Sequence, residues 1–336
     1  MRLKKDEDAL ALWVVAAGRA ELRPALASEP AAGEVAVQAL VSGISRGTES
    51  LVFYGKVPES ERRRMRCPFQ EGEFPFPIKY GYAMAGRIEA GAAAARIGAR
   101  VFCLHPHQSR FTVPAEALIP IPDGIPSERA VLAPQLETAI NATWDAAPRI
   151  GDRIAVVGAG VIGSLVAYLC ARIPGTTVTL IDRDPGRHAV AARLGVAFAL
   201  ADGNLSHELQ LGGCDLVFHA SGNEDGLDLA LSLCGFEASI IELSWYGDTK
   251  VSVDLGGAFH SQRLTLRSSQ VGAVSPSRRA RRSMRERLAL ALSFCADDRL
   301  DALVGEETPF LSLPETLPDI LGRPGALCHL VRYPER

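Results

Sequence analysis

Residues Ile154 to Gly163 read I-A-V-V-G-A-G-V-I-G and run on to Arg172. The short run of branched apolar residues suits a strand buried on both faces, as in a parallel sheet. Three glycines follow at the spacing G-x-G-x-x-G. Gly158 permits a tight turn, Gly160 lets the backbone approach a pyrophosphate, and Gly163 lets the next helix pack close to the strand. The helix predicted from Val161 to Arg172 stops before Pro174-Gly175. Its free amides, from Val161 and Ile162 onward, and its dipole would hold the anion. A second apolar strand, Thr177 to Ile181, ends in Asp182. It stands about twenty residues beyond the glycines, where a carboxylate would accept hydrogen bonds from an adenosine ribose. That context turns a weak signature into a dinucleotide site; the other reading is a tight strand-to-helix turn with no ligand.

The chain beyond Asp182 alternates strands and helices. A helix from Gly186 to Leu194 precedes a short strand near Ala197 to Leu200. A buried strand, Asp215 to Ala220, ends at Ser221-Gly222. A helix from Leu227 to Leu233 leads to a strand from Ala238 to Leu243, which ends at Ser244-Trp245-Tyr246-Gly247. Leu264 to Arg267 supplies a last strand. This is the doubly wound pattern, whose ligands sit at the carboxyl ends of the strands. Ser221, Gly222, Ser244 and Trp245 are therefore expected to line the cofactor channel. Asp182 would repel a 2′-phosphate and so favours NAD, whereas Arg183 beside it keeps NADP open.

The first 130 or so residues are β-rich in pattern. Leu10 to Leu22 reads as a strand or hairpin, and Glu34 to Leu40 as a half-buried strand. Val41 to Ser50 reads as a polar, glycine-punctuated loop flowing into Leu51 to Gly55; a helix start capped by Ser45 or Thr48 is compatible with it. Pro58 to Arg66 is densely charged, a solvated helix or flap, with an anion-binding lid as the sharper reading. Ile78 to Ile88 looks like a strand with glycine breaks, Ala99 to His107 like a strand end, and Ala117 to Pro122 closes the section. Cys103, His105 and His107 alternate, but a zinc site wants a fourth ligand and other spacings, so histidines facing a cleft are preferred. Ser127 to Ala147 is helical in pattern. Ser275 to Arg287 carries six arginines on a predicted helix. A solvated face is the plain reading; an acidic substrate, a phosphate or an ion-paired subunit contact are the sharper ones. Leu313 to Tyr333 reads as helix, a Gly-Arg-Pro-Gly turn and a final strand from Leu327 to Val331.

With 336 residues, two domains are expected. A net charge of −3 argues against nucleic acid as partner. Seven cysteines with no C-x-x-C pair suit a reducing cytoplasm. The charged start, Met1 to Asp8, lacks the apolar core of a signal peptide, and no apolar run is long enough to span a membrane.

The order of parts resembles the medium-chain dehydrogenase/reductase superfamily over nearly the whole chain. The echoes are Gly33-Glu34-Val35, Ser42-Gly43-Ile44-Ser45 with Gly47-Thr48-Glu49, Gly81 with Gly86, Gly151-Asp152, G-A-G-V-I-G, and the tail from Pro314 to Tyr333. The resemblance implies an α/β fold: a GroES-like catalytic domain over residues 1–128, completed by 298–336, and a Rossmann domain over 129–297. It also implies a cleft between them, a dimer or tetramer, and a small-molecule substrate. Zinc-dependent members carry a cysteine where this chain has Ser45 or Arg46, and a His-Glu pair where it has Tyr82-Ala83. Their third ligand region here holds Ala133-Pro134-Gln135, with Glu137 nearby, and the cysteine-rich structural zinc lobe is missing. Hydroxyls are poor zinc ligands beside thiolate and imidazole, so the chain resembles a zinc-free branch. Its S-G-I-S-x-G-T-E run is similar to one in bacteriochlorophyllide a dehydrogenases and their unassigned relatives.

The expected activity is hydride transfer between nicotinamide and an alcohol or carbonyl without zinc. The alternatives are a quinone or enone reductase on the same scaffold, and a dinucleotide-binding protein without turnover. Without zinc, a developing alkoxide needs hydrogen-bond donors. Tyr82 and Thr48 are the leading candidates, in a set with Ser45, Arg46 and Glu49. Lys79 or Arg46 is expected to assist the tyrosine, and Glu49 to orient Arg46 or Thr48; a packed strand tyrosine is the bland reading of Tyr82.

Overall fold

The structure, a computed structural model, describes residues 9–91, 96–202, 205, 209, 213–323 and 327–334. The chain divides into two compact units. One is Met1–Pro134 with Leu292–Ala296 and Val304–Arg336; the other is Gln135–Ala291 with Asp297–Leu303.

The first unit opens with β1 (Ala9–Ala16) and β2 (Arg19–Ala25), an antiparallel hairpin as expected. β3 (Glu34–Ile44) is longer than its local pattern predicts and leads into α1 (Arg46–Phe53). Then come β4 (Glu71–Gly72), β5 (Ile78–Lys79), β6 (Met84–Gly91), β7 (Arg100–Cys103), β8 (Arg110–Pro114), β9 (Ile119–Pro120) and α2 (Ser127–Ala130). The densely charged Pro58 to Arg66 forms a short 3-10 turn at Glu59–Glu61 rather than a helix.

The second unit begins within α3 (Ala133–Ala146). The helix predicted over Ser127 to Ala147 is split there: Pro134 cannot donate a backbone hydrogen bond, so it is tolerated only in a first turn. β10 (Arg153–Val157), α4 (Val161–Cys170), β11 (Thr177–Asp182), α5 (Arg187–Leu194) and β12 (Ala197–Leu200) follow. After them come β13 (Cys214–His219), α6 (Glu224–Ser232), β14 (Cys234–Glu242), α7 (Ala258–Ser261), β15 (Thr265–Ser268) and α8 (Met284–Phe294). The described strands of this unit form one parallel sheet in the order β12-β11-β10-β13-β14-β15. The order reverses between β10 and β13, which is where a doubly wound sheet opens its ligand crevice. Ile154 to Val157 and Leu216 to Phe218 are buried, as branched residues covered on both faces should be.

The chain then returns to the first unit with β16 (Val304–Pro309), α9 (Leu313–Gly322) and β17 (Cys328–Arg332). β17 pairs antiparallel with Val41 to Ile44. This pairing explains why β3 runs through residues whose local pattern reads as loop: the partner lies some 285 positions away (329 − 44). In the predicted Gly-Arg-Pro-Gly turn, Pro324 and Gly325 lie outside the described residues. The helix expected over Ser275 to Arg287 starts only at Met284, behind a capping box in which the Ser283 amide donates to Glu286 Oε2 at 2.8 Å. Among the described residues, no helix is long and apolar enough to cross a membrane.

Candidate functional site

In the second unit, the turn after β10 has the shape its glycines suggest. Gly158 has φ +104°, and a Cβ there would stand 2.7 Å from the Ser221 amide nitrogen. A Cβ on Gly163 would lie 1.9 Å from the Gly158 carbonyl oxygen, so α4 can begin this close to the strand only with glycine. Around Gly160, by contrast, a Cβ would meet nothing within 4 Å: the surface above it is open. No side chain caps α4, whose first residues are Val161 and Ile162, so its first-turn amides and dipole face that opening. These features fit a diphosphate.

Asp182 ends β11. Its Oδ2 accepts the Ala159 amide at 2.7 Å and its Oδ1 accepts the Asp184 amide at 2.9 Å. Each oxygen keeps a second lone pair, enough for a pair of ribose hydroxyls. Arg183 is exposed.

At the carboxyl ends of β13 and β14 stand Ser221, Gly222, Ser244 and Trp245. The Gly222 amide donates to Ser244 Oγ at 3.1 Å, and Trp245 is half-buried. Beneath them lies a network that pattern reading missed. His219 Nδ1 meets Glu242 Oε2 at 2.7 Å, and His219 Nε2 meets Ser221 Oγ at 2.6 Å. Tyr246 donates to Glu242 Oε2 at 3.2 Å, and the Ser244 amide to Oε1 at 2.7 Å. Burial alone would raise the Glu242 carboxyl, but the bonds from His219 and Ser244 bring it below its ordinary value. Both residues resemble the last members of buried strands. The available signal was their polarity at strand carboxyl ends, where a doubly wound sheet keeps its ligands.

The first unit gathers Ser45, Thr48 and Tyr82. Ser45 stands at the N-cap of α1, yet its side chain makes no cap bond. Instead its amide donates to Glu49 Oε1 at 2.7 Å. The Ser45 and Thr48 side chains lie near enough to the Tyr82 hydroxyl to act on it electrostatically. Burial raises the Tyr82 hydroxyl well above its usual value, Ser45 and Thr48 lower it in part, and Glu49 raises it again. The cations expected to help it are occupied elsewhere. Lys79 is buried and donates to Glu71 and, at 2.7 Å, to Gln108. Arg46 donates to the Arg323 carbonyl at 3.3 Å.

Glu49 was expected to orient Arg46 or Thr48; its bonds run to the Ser45 amide and to His107. Its Oε2 meets His107 Nε2 at 3.0 Å, His107 Nδ1 meets Ser42 Oγ at 2.7 Å, and Ser42 Oγ meets the Tyr333 hydroxyl at 3.1 Å. His105 and His107, expected to face a cleft, are buried instead. β7 ends at Cys103, so the strand alternation does not extend to them. His105 stacks on Phe111 with centroids 3.8 Å apart, and burial drives it down to about 3.

Where zinc would sit by the resemblance, the donors are hydroxyls of Ser45, Thr48 and Tyr82, and burial holds the tyrosine protonated. The nearby Cys67 thiol is pushed up to about 12, first by burial. Among the described residues, no three His, Cys, Asp or Glu side chains are grouped to hold a metal ion. This donor set does not fit zinc.

No family model matches the chain. L-threonine 3-dehydrogenase of Stenotrophomonas maltophilia (strain K279a) is 33% identical over 118 residues, 34% of this chain and 34% of that protein. The chain thus spans about a third of the length of that curated relative. Among solved structures, 2R,3R-butanediol dehydrogenase from Bacillus subtilis superposes with TM-score 0.77 at 17% identity, over 98% of this chain and 100% of the other. A short chain alcohol dehydrogenase (rspB) from E. coli CFT073, complexed with cofactor NADH, gives TM-score 0.74 at 17% identity, over 96% and 99%. At that identity the likeness establishes the fold: a Rossmann-type parallel sheet and a GroES-like β-rich unit.

Proposed function

We propose that the protein is an oxidoreductase that moves hydride between NAD(H) and an alcohol or carbonyl substrate, in a zinc-free branch of the medium-chain dehydrogenases. The observation that carries this reading is the turn at Gly158 to Gly163, open above Gly160 and tied through Ala159 to the Asp182 carboxylate. The dehydrogenase names of the relatives support it. We assign the catalytic domain to residues 1–128 completed by 298–336 and the dinucleotide domain to 129–297. The resemblance supports a dimer or tetramer, and the seven cysteines without a C-x-x-C pair support a cytoplasmic location.

A bound nicotinamide supplies the hydride chemistry. The first-turn amides of α4 hold the diphosphate, and Asp182 accepts from the adenosine ribose while its charge disfavours a 2′-phosphate. Tyr82 is protonated at neutral pH, because burial raises it, and so donates to the substrate oxygen in the reducing direction. Ser45 and Thr48, beside that hydroxyl, orient it and return a proton to it after the transfer. The run Ser42 to Glu49, which is similar to one in bacteriochlorophyllide a dehydrogenases, supplies Ser45 and Thr48 to this cluster; the substrate is assigned only as an alcohol or carbonyl.

The test is a panel of ketones, aldehydes and conjugated enones against NADH and NADPH, followed at the nicotinamide absorbance, with zinc measured by mass spectrometry. Carbonyl-dependent NADH oxidation by protein without stoichiometric zinc is expected. Turnover confined to enones, or one zinc per chain bound at the cluster, would overturn the reading.

A further inference from the structure

The His219 network has a direction, and the direction follows from the chemistry of its members. An ionised carboxylate only accepts, so with a single ring proton on His219 Glu242 holds that proton on Nδ1. Nε2 is then an acceptor, and the Ser221 hydroxyl proton must point to it across 2.6 Å. Asn223 Nδ2 donates to Ser221 Oγ at 3.0 Å, which fills one lone pair. The other remains, so Ser221 offers its surroundings an acceptor and nothing else.

The hydroxyl is built into place. A Cβ on Gly226 would lie 2.0 Å from Ser221 Oγ, so only glycine in the first turn of α6 leaves room for it. On its other side the Ser221 amide lies against Gly158, in the diphosphate turn. The half of a doubly wound sheet beyond the reversal, here β13 to β15, takes the second nucleotide of a dinucleotide. The order nucleophile, imidazole, carboxylate also occurs in hydrolases. Here, however, the Gly226 amide is tied to Asn223 Oδ1 at 2.9 Å and the Gly222 amide to Ser244 Oγ, so neither is free to hold an oxyanion.

We propose that Ser221 accepts a hydrogen bond from an N–H or O–H donor on the nicotinamide-nucleotide half of the cofactor, and that His219 and Glu242 are positioning residues that fix the polarity of that acceptor. The proposal rests on the dinucleotide function argued above. The donor is either the nicotinamide carboxamide or a hydroxyl of the adjoining ribose, which share this chemistry.

Three ligands separate the cases. ADP reports on the first half of the site, NADH on the whole, and the reduced 3-acetylpyridine analogue lacks the carboxamide N–H. In Ser221→Ala the dissociation constant of NADH should rise about tenfold, with ADP unchanged within about twofold, and Ser221→Thr should restore most of the loss. His219→Phe should reproduce the Ser221→Ala pattern. A Ser221→Ala effect that disappears with the analogue assigns the carboxamide; one that persists assigns the ribose. Unchanged NADH affinity in Ser221→Ala, with ADP and NADH both bound by the wild type, overturns the proposal and leaves the dinucleotide function standing. Wild-type protein that binds neither ADP nor NADH overturns both.

Discussion

Asp182 Oδ2 accepts the Ala159 amide at 2.7 Å, which ties the end of one strand to the middle of the glycine turn on its neighbour. One carboxylate therefore shapes the glycine turn and, in the proposed function, would also accept from the ribose. Asp182→Ala should weaken NADH binding roughly tenfold or more, since a hydrogen bond to a charged group contributes about 1.5–3 kcal/mol. The same change removes the charge that opposes a 2′-phosphate, so the ratio of NADPH to NADH affinity should rise. Fluorescence titration with both cofactors measures this; an unchanged ratio would contradict the assignment.

Tyr82 lies beside Ser45 and Thr48, and burial raises its hydroxyl well above the usual value. Tyr82→Phe should lower kcat by about a hundredfold while NADH affinity stays within about twofold. Steady-state kinetics beside a binding titration separates the two. Unchanged kcat would return Tyr82 to the role of a packed strand residue.

Arg287 departs from the arginine-rich segment around it. Arg278, Arg279, Arg281, Arg282 and Arg285 are exposed, as a solvated segment should be, whereas Arg287 is 0% exposed. Its guanidinium donates to Glu137 Oε1 at 3.0 Å, to Asn141 Oδ1 at 2.6 Å, and to the carbonyls of Ala273 and Val271. It pins the loop before α8 to α3. Arg287→Met leaves Glu137, whose carboxyl burial already raises, without its partner, and should cost about 3–5 kcal/mol. Pairing it with Glu137→Leu should recover much of that loss. Urea denaturation reads both variants; equal stability of the single variant and the wild type would refute the clasp.

His105 gives a pH dependence with a definite sign. Its folded value is lowered to about 3 by burial, below the ordinary value of about 6.5. Between these values the unfolded chain binds the proton and the folded chain does not. The contribution is therefore complete above pH 6.5 and is lost as the pH falls toward 3. Between pH 6.5 and 4.5 this amounts to on the order of 2–3 kcal/mol. His105→Phe, which keeps a ring against Phe111, should flatten that part of the stability profile. An identical profile in the variant would show that other groups set it.

How much of this was legible in the sequence depended on how far the cause lies along the chain. The turn at Gly158 to Gly163 and the strand ending at Asp182 were legible because strand, turn and helix are contiguous and each glycine has a local steric reason. The course of β3 through Val41 to Ile44 was not, because β17 completes it from the far end of the chain. Ser45, Thr48 and Tyr82 were singled out as residue types, and the fold does bring them together. Their neighbours were not legible: Glu49 faces His107, 58 residues away, and Lys79 faces Glu71 on the adjoining strand, pairings that no local pattern carries. His219 and Glu242 were passed over because a single polar residue at the end of an apolar strand resembles the start of a loop. The capping box at Ser283 to Glu286 was readable and would have placed the start of α8.

The central claim is that a nicotinamide dinucleotide rests on the turn between Gly158 and Gly163. The most direct measurement is a titration of the purified protein with NADH, followed by cofactor fluorescence and competed with ADP. Saturable binding of one NADH per chain is expected, displaced by ADP and abolished by Gly163→Val, with circular dichroism showing that the variant keeps its fold. Absence of saturable binding by the wild type, for NADH and NADPH alike, would contradict it.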